Sequence, residues 1–258
     1  MASGARYALD TTTAFCTRER GHMIGVVPTR NYWRSAVTGL WGSTIGKKAV
    51  MAVTGMIWFG YLILHLWGNL KVYEGPAQLN TYAGFLRTVG TPLFGSQQLL
   101  WLVRAVLIVA LGLHIVAAYQ LTRLDLASRP VPYALRRYQK ASLASRTMRW
   151  GGVAIALFLV YHILHFTTGA AHPDFVEGDV YHNLIAGFRQ WPASLVYILA
   201  MVAVGMHLYH GVWSMLQTLG VVSLRSDGLW RNFARVAAAL ITLGNISIPV
   251  AVLAGVVR

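Results

Sequence analysis

Charge is scarce in this chain, and negative charge is the scarcest. Only 12% of the 258 residues are Asp, Glu, Lys or Arg, and just eight residues are acidic. A soluble domain carries about 25% charged residues, so the composition argues against a soluble protein. Hydrophobic residues make up 56% of the chain, and the mean hydropathy is +0.52. These values are typical of a protein that lies largely within a lipid bilayer.

Cysteine is almost absent, since Cys16 is the only one. One cysteine excludes an intrachain disulfide. It also excludes a thiolate-bound iron–sulfur cluster held by this chain alone, because such a cluster needs several Cys ligands. No secretory leader is expected either, because the first 48 residues lack an apolar core and a small-residue cleavage site. Any redox cofactor that the chain binds by itself should therefore be held through histidine.

Long apolar stretches occur five times, and each is long enough to cross a bilayer, which takes about 20 residues. They predict an all-α integral membrane protein with five transmembrane helices in one bundle. Residues 1–30 form a polar N-terminal segment, and residues 31–258 form a single transmembrane domain. Aromatic residues at 79–86 predict a short interfacial helix, and Pro249 predicts a kink in the last span. The spans cover approximately residues 49–70, 99–121, 151–169, 193–216 and 236–257.

Basic residues are distributed unevenly between the two sides of these spans. Alternate connections hold 17 Lys and Arg residues on one side and four on the other. The positive-inside rule then places the N-terminus in the cytoplasm and, after five crossings, the C-terminus outside. The net charge of +14 is thus explained by membrane topology, and no nucleic-acid partner is expected.

Histidine occurs on four of the predicted spans. An ionisable residue inside a bilayer is costly, so each one is a hypothesis for a functional site. Neutral imidazole is a good ligand to haem iron, and four such residues on four spans predict two pairs of axial ligands. These residues are His65, His114, His162 and His207.

The depth of each histidine in the membrane predicts how they pair. At 1.5 Å per residue, His65 lies roughly 24 Å from the inner edge of its span, and His114 lies roughly 10 Å from it. His65 should therefore pair with a histidine of the third span towards the outside. His114 should pair with one of the fourth span towards the cytoplasm.

Two further histidines leave the ligands of these spans open. His165 follows His162 by three residues and His210 follows His207 by three, so each pair shares one side of its helix. Depth alone favours His165 over His162. The small residues nearby fit either close approach of a flat macrocycle or plain helix packing; they are Gly60, Gly68, Gly112, Gly205 and Gly211. The remaining His22, His172 and His182 lie in polar flanks and are interpreted as surface groups.

Four motifs carry a family resemblance over roughly residues 31–258. They are LHLWGN around His65, LHIVAAY around His114, VYHILHF around His162 and MHLYHGVWSMLQTLG around His207. The chain resembles the two-haem cytochrome b membrane anchor of bacterial and archaeal succinate:quinone oxidoreductases and quinol:fumarate reductases. The resemblance favours His207 over His210, and His162 over His165 against the depth argument.

The resemblance implies a function. Two haem b groups would be bound, one by His65 and His162 towards the outside and one by His114 and His207 towards the inside. A flavoprotein and an iron–sulfur subunit would dock on the cytoplasmic face of the bacterial membrane, with residues 136–140 and 225–235 as candidate docking loops. Electrons would pass from the iron–sulfur subunit through both haems to a quinone, often menaquinone in this branch. A higher oligomer of the complex is compatible with this interpretation.

Polar residues at the span ends are candidates for further contacts. Ser43, Lys47, Arg104 and Arg149 are candidate partners of haem propionates, with Arg104 the best because an Arg one turn into a span requires an anionic partner. Its alternative is snorkelling to the outer headgroups. Glu74, just beyond the first span, is a candidate for proton exchange at a quinone site, against the alternative of a solvated loop acid.

Two other functions fit parts of the pattern. One is the cytochrome b subunit of another quinone-linked dehydrogenase, such as formate dehydrogenase or hydrogenase. The other is a transporter or non-haem anchor that uses histidine for protons or metals, although the spans contain no acidic residue. The chain alone has no flavin-binding fingerprint, so it should not oxidise succinate by itself.

Overall fold

The computed structural model describes residue 39, residues 41–128 and residues 143–258, together with the backbone of two short strands nearer the N-terminus. The chain divides into two compact units, Met1–Lys47 and Lys48–Arg258. In the first unit, β1 (Arg18–Glu19) and β2 (His22–Met23) form an antiparallel pair. Cys16, the side chain of His22 and the loop 136–140 lie outside the described residues.

Five long helices make up most of the second unit, and all five are long and apolar enough to cross a membrane. The prediction of an all-α membrane bundle with five spans is thus confirmed. A 3₁₀ segment, Leu70–Glu74, continues the first of these helices, and a π-turn, Ile163–Thr167, continues the third. The five are α1 (Thr44–Asn69), α3 (Gln98–Ala127), α4 (Leu143–His162), α6 (Trp191–Thr218) and α7 (Asp227–Leu253).

The helices extend further than the apolar windows suggested. The third span begins at Leu143 rather than near residue 151, and the fifth begins at Asp227 rather than near residue 236. Basic residues occupy these added turns, and long basic side chains can lie along a helix while their charged ends reach water. The last helix continues past Pro249 to Leu253.

Apolar side chains cover the outside of the bundle as well as its interior. Ile108, Leu157 and Leu243 are each about two-thirds exposed. In water such a surface would be unfavourable at about 25 cal/mol per Å² of apolar area, whereas lipid tails are as apolar as these side chains. The outward-facing apolar surface is therefore the face expected to contact lipid.

The helix α6 lies at the centre of the packing. Its backbone runs within 8 Å of those of α4 and α7. Gly205 allows the close approach to α7, since a Cβ there would overlap the Thr242 hydroxyl. Within the described residues, the backbones of α1 and α3 do not run this close to α4 or α6 over any comparable stretch. The helices α1 and α3 therefore contact α4 and α6 through their side chains.

A cap of two short helices closes one end of the bundle. It consists of α2 (Pro76–Thr88), α5 (Val180–Arg189) and the 3₁₀ segment. Asn80 joins the two helices, because its Nδ2 donates to Asp179 Oδ1 (2.9 Å) and its Oδ1 accepts from the backbone N–H of Tyr181 (3.0 Å). The helix predicted at residues 79–86 is therefore present and longer than expected.

The second cap helix, α5, lies in a region that the sequence suggested was only a polar loop. Its buried face carries Leu184, Ile185 and Phe188, whose spacing is helical. Asp179 caps its N-terminus by accepting from the backbone N–H of His182 (2.9 Å). The apolar spacing and the capping aspartate together cover only a few residues, and the acidic residues around them are typical of a solvated loop.

We expect Asp179→Ala to destabilise the cap in a pH-dependent way. The hydrogen bonds from His182 N–H and from Asn80 lower the pKa of Asp179, so their contribution is present above the ordinary carboxyl pKa of about 4. It is lost as the pH falls through the lowered pKa. Loss of the cap should cost about 1 kcal/mol at pH 7, measured as a lower thermal midpoint by circular dichroism in detergent.

Glu177→Ala is the matched control, because Glu177 is an exposed carboxylate in the same loop. It should leave the midpoint unchanged at every pH. Equal midpoints for the two variants at pH 7 would contradict the assignment of Asp179 as the cap.

Candidate functional site

Two pairs of histidine rings meet between the helices, one pair towards each end of the bundle. His65 of α1 and His162 of α4 have ring centroids 5.8 Å apart, with planes at 87°. His114 of α3 and His207 of α6 have centroids 6.3 Å apart, with planes at 54°. The structure thus brings together the four histidines singled out in the sequence, in the two combinations expected.

The ring separations suit one metal ion between the members of each pair. Two imidazole–metal bonds of about 2 Å and two ring radii of about 1.1 Å give a centroid separation of about 6 Å. Within the part of the chain that the structure describes, no cluster of three or more His, Cys, Asp or Glu side chains could hold a metal ion. A metal at either pair would therefore need further donors from outside the described residues, as a porphyrin would supply.

His114 is held by a hydroxyl from the neighbouring span. Thr54 Oγ1 lies 3.1 Å from His114 Nδ1 and 2.7 Å from the carbonyl oxygen of Val50, one turn earlier on α1. When the threonine hydroxyl donates to that carbonyl, its oxygen is left to accept a proton from Nδ1. This arrangement places the proton on Nδ1 and leaves Nε2 of His114 as the free ligand atom.

His207 lies opposite His114 without such a partner. Its Nδ1 is buried and has no hydrogen-bond partner among the described residues, although a buried polar atom normally has one. A cleft lined by Thr147, Met148 and Met206 adjoins this ring. An unpartnered imidazole beside a space in the bundle fits a site that an additional group would complete. His210, the alternative ligand, instead has its ring 6.3 Å from that of Trp213.

The geometry also separates His162 from His165. The His162 ring is the one that faces His65, whereas His165 lies in the π-turn and is only 1% exposed. The ring of His165 stacks on Tyr161 at 5.2 Å. His162 is thus the residue positioned to share a ligand with His65.

A tyrosine borders the His65 ring, and an arginine lies near that tyrosine. Tyr61 stacks on it at 5.3 Å, and its hydroxyl lies 3.5 Å from His65 Nδ1. Arg104, near the first turn of α3, lies close enough to Tyr61 to act on it electrostatically. Its guanidinium also lies over the Trp101 ring, 4.8 Å from the centroid. Arg104 is therefore a propionate candidate that lies near the tyrosine stacked on His65.

The other predicted contact residues have partners of their own. Ser43 Oγ accepts from the backbone N–H of Gly46 (2.9 Å), and Lys47 Nζ donates to the carbonyl oxygens of Trp41 (2.6 Å) and Gly42 (3.1 Å). Arg149 forms an ion pair with Asp125 across α3 and α4.

Glu74 is half exposed and lies 3.5 Å from Lys71 Nζ. Its geometry is that of a solvated acid at the end of the 3₁₀ segment. A surface ion pair of this kind contributes about 0–1 kcal/mol, so the pairing leaves the carboxylate available to solvent.

Glycine positions near the rings differ from those expected. Gly55 and Gly152 are the ones that touch them, since an added Cβ would lie 3.6 Å from His114 Cε1 and 3.9 Å from His207 Cε1, respectively. Gly68 and Gly205 instead allow packing, against Tyr82 and Thr242. The remaining three of the predicted set, Gly60, Gly112 and Gly211, would have open space around a Cβ.

The interpretation of His172 as a free surface group is wrong. It is half-buried, its ring centroid is 5.0 Å from that of His165, and its Nε2 donates to the carbonyl oxygen of Asn183 (2.7 Å). His182 is also half-buried and pairs with Asp174 at 3.0 Å. The fold of the cap, which the sequence did not reveal, places His172 against His165, whereas the side chain of His182 is 39% exposed and remains at the surface.

Several supporting residues were not found from the sequence. Thr54, Tyr197, Gly55 and Gly152 all lie on a different span from the histidine they contact, so no motif on one helix marks them. Helix depth could have suggested Thr54 as a neighbour of His114, since both lie towards the same end of the bundle. Nothing in the sequence pattern marked Tyr197.

Comparison with known proteins adds one family. Residues 125–245 match the family model described as succinate dehydrogenase/fumarate reductase transmembrane subunit. The matched segment spans α4 to most of α7 and includes His162 and His207. No curated protein and no solved structure showed significant similarity to the chain. The match covers slightly less than half of the chain, and over this segment the chain is similar to that family.

Gly187→Ala should loosen the contact between the cap and the π-turn. An added Cβ would lie 2.9 Å from Phe166 Cε1, 3.0 Å from His165 Cε1 and 3.0 Å from His172 Nε2. Rings packed on several sides cannot easily move, so we expect a loss of about 1–3 kcal/mol, measured as a lower thermal midpoint.

The control is Gly84→Ala in the other cap helix, where no atom lies within 4 Å of the added Cβ. It should keep or raise the midpoint, because Ala is the better helix former by about 1 kcal/mol. An unchanged midpoint for Gly187→Ala would show that α5 does not pack on the π-turn in this way.

Proposed function

We propose that this chain is the two-haem cytochrome b anchor of a bacterial succinate:quinone oxidoreductase or quinol:fumarate reductase. Its match to the family model of a succinate dehydrogenase/fumarate reductase transmembrane subunit supports this proposal. One observation carries the proposal. Four histidines from four different spans form two ring pairs, 5.8 and 6.3 Å apart, towards opposite ends of the bundle. Packing alone does not require imidazole at four such costly positions.

The chain's own residues would hold each haem by its axial positions. His65 and His162 would bind one iron, and His114 and His207 the other. Each haem b, when bound, supplies a centre that takes up and releases one electron. Thr54 keeps the proton on Nδ1 of His114 and so presents Nε2, while Gly55 and Gly152 leave the space beside the rings that a side chain would fill.

The charge distribution supports an orientation for the anchor. With 17 of the 22 basic residues on one side, the positive-inside rule places the N-terminus, and the turn between α6 and α7, in the cytoplasm. The His114–His207 pair is then the inner one and the His65–His162 pair the outer one. The cap lies on the outer side. There Arg104 is available to a haem propionate and Glu74 to a quinone, which we propose is menaquinone.

The turn between α6 and α7 is suited to bind the iron–sulfur subunit. Leu224 is fully exposed and Leu229 is two-thirds exposed, next to basic residues. Arg231 joins the two ends of this turn, since its Cζ lies 4.0 Å from the Trp213 ring centroid and its Nε donates to Asp227 Oδ2 (2.7 Å). Exposure of a leucine side chain to water is unfavourable, and its burial against a protein partner would be favourable.

Single histidine variants test the haem assignment. Each of His65→Ala, His114→Ala, His162→Ala and His207→Ala should lose one of two b haems per chain, because an iron with one protein ligand is held weakly. The measurement is a reduced-minus-oxidised spectrum with pyridine haemochrome quantitation of the purified complex. Paired variants should abolish the same spectral component.

His210→Ala and His182→Ala are the controls and should keep both haems. A folded parent without haem would contradict the proposal, as would a variant pattern in which His65 and His114 affect the same haem.

Two leucine variants test the orientation and the docking face together. Leu224→Glu should lower the amount of flavoprotein and iron–sulfur protein that co-purifies with the tagged anchor, with its haem content unchanged. Leu93→Glu is the matched control, because Leu93 is 90% exposed on the connection between α2 and α3 at the opposite end. The reverse pattern, with loss only for Leu93→Glu, would show that the orientation is inverted.

A further inference from the structure

The hydroxyl of Tyr197 lies between two histidines of the neighbouring helix. It is 3.2 Å from Nδ1 of His162 and 3.2 Å from Nδ1 of His165. Tyr197 is 6% exposed and His165 is 1% exposed. Phe188 packs edge-on against the tyrosine ring at 4.9 Å, and Phe158 does so at 5.0 Å. The three polar groups therefore interact with one another in a compact apolar shell.

The number of available protons fixes the direction of these two hydrogen bonds. If Nε2 of His162 binds a metal, the proton of the neutral ring is on Nδ1, and Nδ1 must donate to the tyrosine oxygen. The single hydroxyl proton of Tyr197 is then free to be donated to Nδ1 of His165. His165 in turn carries its own proton on Nε2. One chain results, from His162 through Tyr197 to His165.

We propose that Tyr197 and His165 act as positioning residues that fix the tautomer of His162 and lower the reduction potential of the haem at the His65–His162 pair. This inference rests on the proposed function. An imidazole that donates from Nδ1 becomes a more basic ligand at Nε2 and favours the ferric state. Donation from Tyr197 to His165 polarises the tyrosine oxygen and strengthens its acceptance from His162.

The two histidine pairs differ in this respect. At the other pair, the Nδ1 of His207 has no partner among the described residues, and Nδ1 of His114 lies 3.1 Å from a threonine hydroxyl rather than from a tyrosine shared with a second histidine. The chain of three polar groups is therefore specific to one end of the bundle. It also gives His165 a role that does not compete with His162 for the metal.

Tyr197→Phe in the whole complex provides the test, because it removes one oxygen and keeps the ring. In a potentiometric titration followed at the haem α-bands, the midpoint of the outer haem should rise. We expect the ratio of reduced to oxidised outer haem at fixed ambient potential to increase up to about tenfold, equivalent to 59 mV for one electron. The inner midpoint should not move. The histidine variants above assign each band to its haem.

Two further variants complete the design. His165→Leu removes the acceptor of the tyrosine proton and should raise the same midpoint by a smaller amount. Tyr73→Phe is the control, since its hydroxyl donates to Ser247 Oγ (2.8 Å) away from both pairs, and it should change neither midpoint. If Tyr197→Phe loses the outer haem, the midpoint of that haem in His165→Leu tests the inference instead, because this variant keeps the hydroxyl of Tyr197 beside His162.

The outcomes separate this inference from the proposed function. Two haems with both midpoints unchanged in Tyr197→Phe and in His165→Leu would overturn the hydrogen-bonded chain and leave the haem assignment intact. A shift of the inner midpoint alone would also overturn it. A folded parent without haem would instead contradict the proposed function.

Discussion

The cost of placing an imidazole in an apolar environment is the constraint on which the structure depends. A polar group moved from water into an apolar interior without a hydrogen bond is unfavourable by roughly 1–3 kcal/mol in proteins. For three of the four paired histidines, a hydroxyl group near Nδ1 offsets this cost. Thr54 does so for His114, Tyr61 for His65 and Tyr197 for His162. Nδ1 of His207 is the exception within the described residues. These hydrogen bonds restrict the orientations of the His65, His114 and His162 rings.

The helices that carry the paired rings differ in how closely they pack. Close contacts of α6 with α4 and α7 supply a rigid centre, helped by Gly205. The helices α1 and α3 lie further out and meet that centre through side chains. His65 and His114 are carried by these two outer helices, while His162 and His207 are carried by the central ones. Each pair therefore joins an outer helix to a central one.

The sequence predicted the spans and the histidine pairs because both depend on local or simply repeated features. Hydropathy locates a membrane helix without knowledge of its neighbours. Depth arithmetic was less successful for His162 and His165, since it counted from residue 151 while the helix begins at Leu143. Counted from the observed starts of α1 and α4, both residues lie within about 3 Å of the depth of His65. Depth then does not distinguish them, and the orientation of the rings does.

What the sequence did not reveal depends on tertiary contacts. Tyr197 and Thr54 act on histidines of other helices, so their role appears only when the helices are packed. The helix α5 is short and surrounded by acidic residues, and its apolar face becomes meaningful only against the π-turn. His172 was misjudged for the same reason, since the cap buries it beside His165. Non-local contacts of this kind leave no periodic signal along the chain.

We propose that each histidine pair binds one haem iron, and an electron cryo-microscopy map of the complex purified from its native membrane would test this assignment. We expect two flat densities per chain, one between His65 and His162 and one between His114 and His207, each with both rings directed at its centre. Well-ordered rings of these four residues with no density between them, or a haem held by His165 or His210 instead, would contradict it.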